Sequence, residues 1–170
     1  MTAFTVRPAV ADDAAAILAL HRKVAALPGG LARRPDEVTA DYVDHAMAAA
    51  ADGGINLVAV DGEGRLRGEL HVERMKVGIF THVLTDLTVA VDPDWHGRGV
   101  GSALFRLLFD TARSLEPPIR RIELWTGAEN HGAQRLYQRL GFRIEGRMIG
   151  RGRHPDGAFE DDIVMGLLLD

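Results

Sequence analysis

The segment of residues 87–105 constrains the fold of this chain more than any other part of the sequence. A run rich in β-branched residues reaches an Asp-Pro pair, and glycines then occupy alternate positions, Gly97, Gly99 and Gly101, directly before a helical pattern. Because glycine has no Cβ, alternating glycines allow backbone N–H groups to approach a ligand closely, and a helix start adds unpaired donors and a positive dipole end. The pattern therefore predicts a strand, a turn and a helix that can hold a pyrophosphate with few basic side chains.

Two better-known glycine loops do not match this turn. A Walker loop requires Gly-Lys-Ser/Thr, and the dinucleotide-binding fingerprint requires a glycine where Ser102 or Leu104 stands. Two interpretations stay open on the residues alone. The turn either binds a phosphate-bearing ligand or is a glycine-rich turn without one.

Hydrophobic periodicity divides the chain into short strands and amphipathic helices in the order strand, two helices, three strands, helix, strand, helix and two strands. Predicted strands cover residues 4–6, 55–60, 66–75, 82–91, 119–125, 142–148 and 159–169. Predicted helices begin near residues 12, 35, 99 and 130. With no linker or repeat between them, these elements predict one domain over residues 1–170. We expect an α+β fold with a mixed, mostly antiparallel sheet of about seven strands flanked by helices.

Composition excludes several classes of protein. The 170 residues, 46% hydrophobic and 26% charged, suit one globular domain with a sizeable core. A formal net charge of -4 provides no basic face, so we predict no nucleic-acid partner. Cysteine is absent, which excludes disulfides and thiolate chemistry. No signal-like start or membrane-length apolar run is present, so we expect a cytoplasmic protein with no membrane partner.

Two blocks of the sequence resemble the GNAT superfamily of acyl-CoA-dependent N-acetyltransferases. The glycine turn reads His-Gly-Arg-Gly-Val-Gly over residues 96–101, similar to the family signature Arg/Gln-x-x-Gly-x-Gly/Ala but with His96 at its first position. Residues 122–142 are similar to the family pattern of a strand, an asparagine, a Leu-Tyr pair and a Gly-Phe pair. The likeness covers almost the whole chain and is closest to the branch of phosphinothricin, amino-acid and ribosomal-protein N-terminal acetyltransferases. It implies the three-layer GNAT fold.

The resemblance also implies a site for acetyl-CoA as cosubstrate. The end of the strand would pair with the pantetheine arm, and the glycine turn would wrap the pyrophosphate. A main-chain N–H near Val89 would meet the thioester oxygen if a bulge or splay frees it from the sheet. Asn130 would contact the cofactor and could also cap a helix. The implied cofactor-binding residues are Val89, Ala90, Val91, Gly97, Arg98, Gly99, Val100, Gly101, Ser102, Asn130 and Tyr137.

Two side chains are candidates for the proton transfers. Tyr137 matches the family tyrosine that protonates the CoA sulfur, but it also lies on an apolar helical stripe where a ring would simply pack. Asp86 stands where phosphinothricin-type relatives carry a glutamate and is the candidate general base, unless it pairs with an arginine. His82 and Glu123 are the other candidates for the base. Trp125 either lines the acceptor pocket or packs.

The histidines carry no metal-binding pattern in the sequence. The seven of them form no HExxH pair or other spaced cluster, so we predict no metal. We interpret the His71-Val72-Glu73 spacing as a coincidence on a strand.

The predicted reaction is acetyl transfer from acetyl-CoA to a small primary amine, such as an amino acid, by direct attack. The acceptor pocket is expected between the first two helices, the tip at residues 75–82 and the hairpin at 151–159. Two alternatives stay open: a catalytically silent acyl-CoA-binding or sensor domain, and a protein N-terminal acetyltransferase. The resemblance also implies a homodimer.

Overall fold

The computed structural model describes residues 3–170, in which one twisted sheet is covered by helices on both faces. The strands are β1 (Phe4–Pro8), β2 (Ile55–Asp61), β3 (Leu66–Arg74), β4 (Val83–Val91), β5 (Arg121–Gly127), β6 (Arg143–Arg153) and β7 (Phe159–Leu168). The helices are α1 (Ala14–Ala25), α2 (Ala40–Ala51), α3 (Val100–Ser114) and α4 (His131–Arg139). This order confirms the order predicted from the sequence.

The strands lie side by side in the order β1-β2-β3-β4-β5-β7-β6. Neighbouring strands are antiparallel except β4 and β5, which are parallel. The connection from β4 to β5 passes through α3, as a parallel pair requires a crossover. The sheet is therefore mixed and mostly antiparallel, as predicted.

Alternation along β2 shows how the two faces are covered. Val58 packs with Ile17 of α1 and Val43 of α2, whereas Leu57 belongs to the larger core that includes Leu104 of α3. Successive strand residues point to opposite faces, so β2 contributes side chains to the hydrophobic cores on both faces of the sheet. Helices α1 and α2 therefore cover one face of the sheet, and α3 and α4 cover the other.

The second helix begins later than the sequence predicted. Pro35–Glu37 forms only a single 3-10 turn, and α2 starts at Ala40. Val38 is extended and fully buried, and the Thr39 side chain caps α2 by accepting a hydrogen bond from the Tyr42 N–H. Burial of the Val38 side chain thus interrupts a segment whose composition favours a helix.

Two strand boundaries also differ from the prediction. The backbone N–H of Ile119 bonds to Ala112 instead of entering the sheet, so β5 begins at Arg121. Strand β6 continues to Arg153 because its far end pairs with β7. Within residues 3–170, no helix has the length and apolar character needed to cross a membrane.

Candidate active site

A gap between β4 and β5 lies at the centre of the sheet. Val83 and Leu84 pair with Arg121 and Ile122, and beyond these residues the parallel ladder of the two strands stops. Both strands continue for several residues, so each has a free edge facing the other. Such edges expose backbone N–H and C=O groups that can pair with an extended ligand.

A β-bulge lies in β4 where this gap opens. Thr85 pairs with Glu73 and Thr88 pairs with His71, so Asp86 and Leu87 together face a single β3 residue. Asp86 has a φ of 53°, a left-handed conformation that is uncommon outside glycine. A bulge leaves one residue outside the ladder and redirects its side chain. The structure thus has both the splay and the bulge on which the sequence analysis made the thioester contact depend, with the bulge three residues before Val89.

The predicted pyrophosphate turn leads directly into α3. Gly97 and Gly99 have φ values of 73° and 83°, and α3 starts at Val100. Its first intrahelical bond runs from the Ala103 N–H to the Gly99 carbonyl, which leaves the preceding N–H groups at the helix start outside the helical ladder. A Cβ added at Gly97 or Gly99 would meet no atom of the protein within 4 Å. The turn is therefore an open cradle of donors at the positive end of a 15-residue helix.

Buried Asp92 holds the start of this turn. It accepts hydrogen bonds from Lys23 at 2.7 Å and Arg67 at 2.9 Å, and its side chain also accepts from the Asp94 N–H. Burial opposes ionisation of Asp92, but these hydrogen bonds outweigh it and lower the pKa of the carboxyl. Charge-assisted bonds to a buried carboxylate fix the path of the chain from β4 to α3.

The end of β4 next to the turn has a backbone edge that is not paired with β5 and that a ligand can therefore approach. The Ala90 side chain is buried against α1, while those of Val89 and Val91 pack into the core beneath α3. His96, which replaces the family arginine or glutamine, donates from Nε2 to the Val91 carbonyl at 3.2 Å. His96 therefore ties the glycine turn to the end of β4. Arg98 lies over the ring of buried Trp95, 4.9 Å from its centroid.

Helix α4 places two predicted residues on the other side of the gap. Asn130 caps it, because its Oδ1 accepts from the Ala133 N–H at 3.1 Å, and its Nδ2 donates to the Gly29 carbonyl at 3.5 Å. The Tyr137 ring packs between Phe105 and Phe142, with centroid distances of 5.7 and 5.9 Å. Its hydroxyl bonds to no side chain or backbone group of residues 3–170, yet it is not among their fully buried unpaired polar atoms, so it reaches an accessible surface. Burial of the ring raises the pKa of Tyr137 to about 12.

This arrangement of a glycine turn, an open strand edge and a capped helix agrees with a family match. The model of the acetyltransferase (GNAT) family matches residues 31–142, which is more than half of the chain. The chain belongs to the GNAT acetyltransferase family.

Individual GNAT proteins resemble this chain over part of the length of the curated relatives and over nearly the whole length of solved structures. The chain is 32% identical to the L-amino acid N-acetyltransferase AaaT of Escherichia coli over 93 residues, 55% of this chain and 56% of that protein. The matches span between 23% and 56% of the length of the curated relatives. Among solved structures, it resembles a GCN5-related N-acetyltransferase from Kribbella flavida (29% identity, TM-score 0.84, 98% of each chain). It also resembles the acetyltransferase yncA from Salmonella typhimurium with acetyl-CoA (25% identity, TM-score 0.84, 99% and 95% of the chains).

The three candidate bases of this GNAT site differ in their surroundings. The Asp86 carboxylate makes no hydrogen bond or salt bridge with the part of the chain that the structure describes, and burial, with the nearby charge of Glu73, raises its pKa despite Arg151. Glu123 is held on both oxygens, by the Thr85 hydroxyl and by Arg121, each at 3.1 Å. His82 is exposed in front of β4. The interpretation of Asp86 as the partner of an arginine salt bridge therefore finds no support.

Trp125 and the β6–β7 hairpin lie on the same face as Asp86. Arg151 from β6 stacks over the Trp125 ring, 4.5 Å from its centroid. Arg151 also acts on the Asp86 carboxylate through its charge. Arg151 therefore brings the hairpin close to the gap, where the sequence analysis placed one wall of the acceptor pocket.

Sequence reasoning missed a buried polar cluster on the α1 and α2 face. His21 of α1 and His71 of β3 both contact the Glu69 carboxylate, and Tyr42 of α2 contacts His21. The spacing that drew attention, His71-Val72-Glu73, is not the pairing that forms, since Glu73 bonds to His45. The sequence signal that could have predicted part of this cluster is Glu69-x-His71, because alternate residues of a strand lie on the same face of the sheet. The absence of a bound metal stays a prediction.

Proposed function

We propose that this protein is an acetyl-CoA-dependent N-acetyltransferase that acts on a small primary amine such as an amino acid. The observation that carries the proposal is the continuity of the open β4 edge with the glycine cradle at the start of α3. That continuity fits a ligand that is extended at one end and doubly phosphorylated at the other. The name of AaaT supports an amino acid as acceptor class.

The described residues leave open space for the pyrophosphate of acetyl-CoA at the glycine turn. Acetyl-CoA supplies an activated acetyl group as a thioester. Gly97, Gly99 and Gly101 offer a cradle that a pyrophosphate can enter because no protein atom fills it at Gly97 and Gly99, and only ordinary contacts lie near Gly101. Residues 89–91 offer their backbone to the pantetheine arm, and Asn130 stands at the start of α4 across the gap.

The chain's own residues would divide the chemistry between them. An unpaired N–H at the bulge would polarise the acetyl carbonyl. Tyr137 would donate its proton to the departing sulfur, since it is neutral throughout the ordinary pH range and its hydroxyl is unpaired but not fully buried. Asp86 would accept a proton from the amine, because its raised pKa brings its basicity closer to that of a useful base.

The acceptor side of the gap is lined by groups that suit an ammonium ion. Asp86 places there a carboxylate that is bonded to no described residue, and Trp125 with Arg151 forms a wall. A cation is attracted to such a site before it loses its proton. A homodimer and a cytoplasmic location stay predictions from the sequence.

Release of free CoA tests the proposal directly. Purified protein with acetyl-CoA is offered a panel of amino acids, amino-acid analogues and peptides with free N-termini, and thiol release and N-acetyl product are measured. We expect turnover with at least one amino acid. Binding of acetyl-CoA without turnover on any amine would favour the silent acyl-CoA-binding domain, and turnover on peptides alone would favour a protein N-terminal acetyltransferase.

A further inference from the structure

A connected line of polar side chains crosses the interior between α1, α2 and β3. His21 Nε2 lies 2.8 Å from Glu69 Oε2, and His71 Nδ1 lies 3.0 Å from Glu69 Oε1. On its other side, His21 Nδ1 lies 3.1 Å from the Tyr42 hydroxyl. His21 and Glu69 are fully buried, and His71 is 6% exposed. A buried polar group of this kind is costly unless every member is paired, and these members are.

The charge on Glu69 fixes the direction of the hydrogen bonds. Burial opposes ionisation of Glu69, but His71 and His21 outweigh it and lower the pKa of the carboxyl. An ionised carboxylate can only accept, so His21 Nε2 and His71 Nδ1 both carry hydrogens. When His21 is neutral, its Nδ1 therefore has a lone pair, and the Tyr42 hydroxyl must donate to it. A hydroxyl, an imidazole and a carboxylate stand in line, as in a nucleophile activated by a base and its orienting acid.

The line ends beside the gap in the sheet. The Tyr42 hydroxyl interacts with the Thr88 side chain, and Thr88 is the cross-strand partner of His71. Thr88 lies between the bulge at Asp86 and Val89, on the face that α1 and α2 cover. Arg33 lies over the Tyr42 ring, 4.6 Å from its centroid. The oxygen of Tyr42 is thus the end of the line that an acceptor amine in this cleft could reach.

Proton balance calls for more than one proton acceptor. Acetylation of an ammonium group forms a nitrogen–carbon bond and breaks the carbon–sulfur bond, nitrogen loses two protons and sulfur gains one. The first proton leaves before nitrogen can attack, and the second leaves after nitrogen has bonded to the acetyl carbon. The Asp86 carboxylate is partly desolvated, but the residue as a whole is open to solvent, so Asp86 can pass the first proton to water. The second must be taken quickly, by a group that already contacts the nitrogen when the nitrogen bonds to the acetyl carbon.

We propose that Tyr42 and His21, oriented by Glu69 and His71, form a relay that takes the second proton from the acceptor nitrogen. The inference rests on the proposed function. The Tyr42 oxygen accepts the nitrogen's proton as its own proton passes to His21 Nδ1, which leaves an imidazolium beside the Glu69 carboxylate. Tyr42 touches the acceptor and is the catalytic residue, whereas Glu69 and His71 are positioning residues.

The surroundings of Tyr42 keep it neutral between turnovers. Burial, with the charge of Glu69, raises the pKa of Tyr42 to about 12, although Arg33 and Thr88 act in the opposite direction. The titratable groups that face His21 are Glu69 and His71 from β3 and Tyr42 from α2, with Arg33 beyond the tyrosine ring. When the product leaves, the His21 proton returns to the Tyr42 oxygen as the Tyr42 proton passes to water, and Tyr137 regains from water the proton that it gave to sulfur, so one proton is released per turnover.

Removal of one hydroxyl tests the relay. Tyr42→Phe keeps the ring under Arg33, and we expect turnover to fall about 10²-fold with unchanged acetyl-CoA affinity. The loss should persist toward alkaline pH, because hydroxide remains too dilute to reach the short-lived species before it breaks down. Val43→Ala, which loosens packing next to Tyr42 on α2, should lower the melting temperature and leave turnover intact. Full activity in Tyr42→Phe, or recovery at alkaline pH, would overturn the relay.

A double variant tests whether the residues of the buried line act together as a relay or contribute independently through packing. Groups that act as one unit are not additive, so Tyr42→Phe combined with Glu69→Gln should be no slower than the slower single variant. Multiplied losses would contradict the relay. If Glu69→Gln does not fold, His21→Gln takes its place in the same comparison.

Nitrogen-15 NMR of the histidines gives a reading that needs no acceptor. We expect neutral His21 to carry its hydrogen on Nε2, the nitrogen that faces Glu69, and the Nδ1 resonance of His21 to change in Tyr42→Phe, which lacks the hydroxyl that donates to it. The relay would be overturned if neutral His21 carried its single ring hydrogen on Nδ1. Binding of one metal ion per protein by the His21 and His71 imidazoles would also overturn it. Failure of every amine in the turnover assay would instead remove the proposed function, while the NMR result still decides how the buried line is hydrogen-bonded.

Discussion

The Thr85 hydroxyl of β4 donates a 3.1 Å hydrogen bond to the Glu123 carboxylate of β5, directly beyond the last backbone pair between the two strands. Arg121 holds the other oxygen of the same carboxylate. Glu123 therefore links the two strands where they separate. To act as a base it would have to give up bonds that stabilise its charge, so Asp86 is the better candidate for the first proton.

The first prediction concerns binding of CoA at the glycine cradle. A ligand that binds only the folded protein at about 100 times its Kd stabilises it by about 2.7 kcal/mol. Gly101 has ordinary backbone geometry, and an added Cβ would make only ordinary contacts with Leu136 and Val91, at 3.7 and 3.9 Å. We expect Gly101→Ala to fold normally and to lose most of the CoA-dependent rise in melting temperature, and Gly101→Val to lose all of it.

The control for this prediction is Gly62→Ala in the turn between β2 and β3. An added Cβ there meets nothing within 4 Å, so it should keep the full response to CoA. Substitution of Gly97 or Gly99 would be harder to interpret because both have positive φ. Undiminished CoA binding by a folded Gly101→Val protein would show that the pyrophosphate binds elsewhere.

The second prediction separates acid catalysis from packing at Tyr137. Tyr137→Phe keeps the ring between Phe105 and Phe142 and removes a hydroxyl that has no hydrogen bond to the described residues. We expect a nearly unchanged melting temperature and a loss of turnover of about 10²-fold. Phe109→Leu, in the same aromatic cluster, should instead reduce stability and spare turnover. An unchanged rate in Tyr137→Phe would assign this tyrosine to the core.

The third prediction uses the unusual backbone of Asp86. Asparagine tolerates its φ of 53°, so Asp86→Asn should fold. Burial and Glu73 raise the pKa of Asp86, so its contribution to stability is fully present below its unfolded pKa and is lost as pH rises through the folded value. At neutral pH ionised Asp86 opposes folding, and the melting temperature of Asp86→Asn should be equal or higher.

Activity of the same variant should show the opposite trend. Asparagine cannot accept a proton, so turnover should fall roughly 10²-fold at neutral pH and recover in part toward alkaline pH, where more of the amine is already neutral. Acetyl-CoA binding should be normal. Measurement of the pH-rate curve beside that of Tyr42→Phe distinguishes the two proton acceptors, because only the Asp86→Asn deficit should shrink. An unaltered curve with full activity would transfer the role to His82, Glu123 or water.

The sequence determined those features that depend on neighbours along the chain. The glycine turn, the start of α3 near Gly99 and the Asn130 cap were all predictable, because φ preference, missing Cβ atoms and capping bonds act over a few residues. The order of strands and helices followed from local periodicity for the same reason. Boundaries were wrong where a distant partner decides them, as at Val38, whose burial delays α2.

Only the tertiary structure decided which titratable groups meet. His21 and Glu69 are 48 positions apart, and their 2.8 Å contact depends on how α1 packs against β3. The left-handed turn at Asp86 and the end of the β4–β5 ladder likewise arise from strand register, which is set by pairing across the sheet and not by the residues of one strand. Local chemistry therefore predicted the cofactor side of the proposed site, while long-range packing determined which groups lie on its proposed acceptor side.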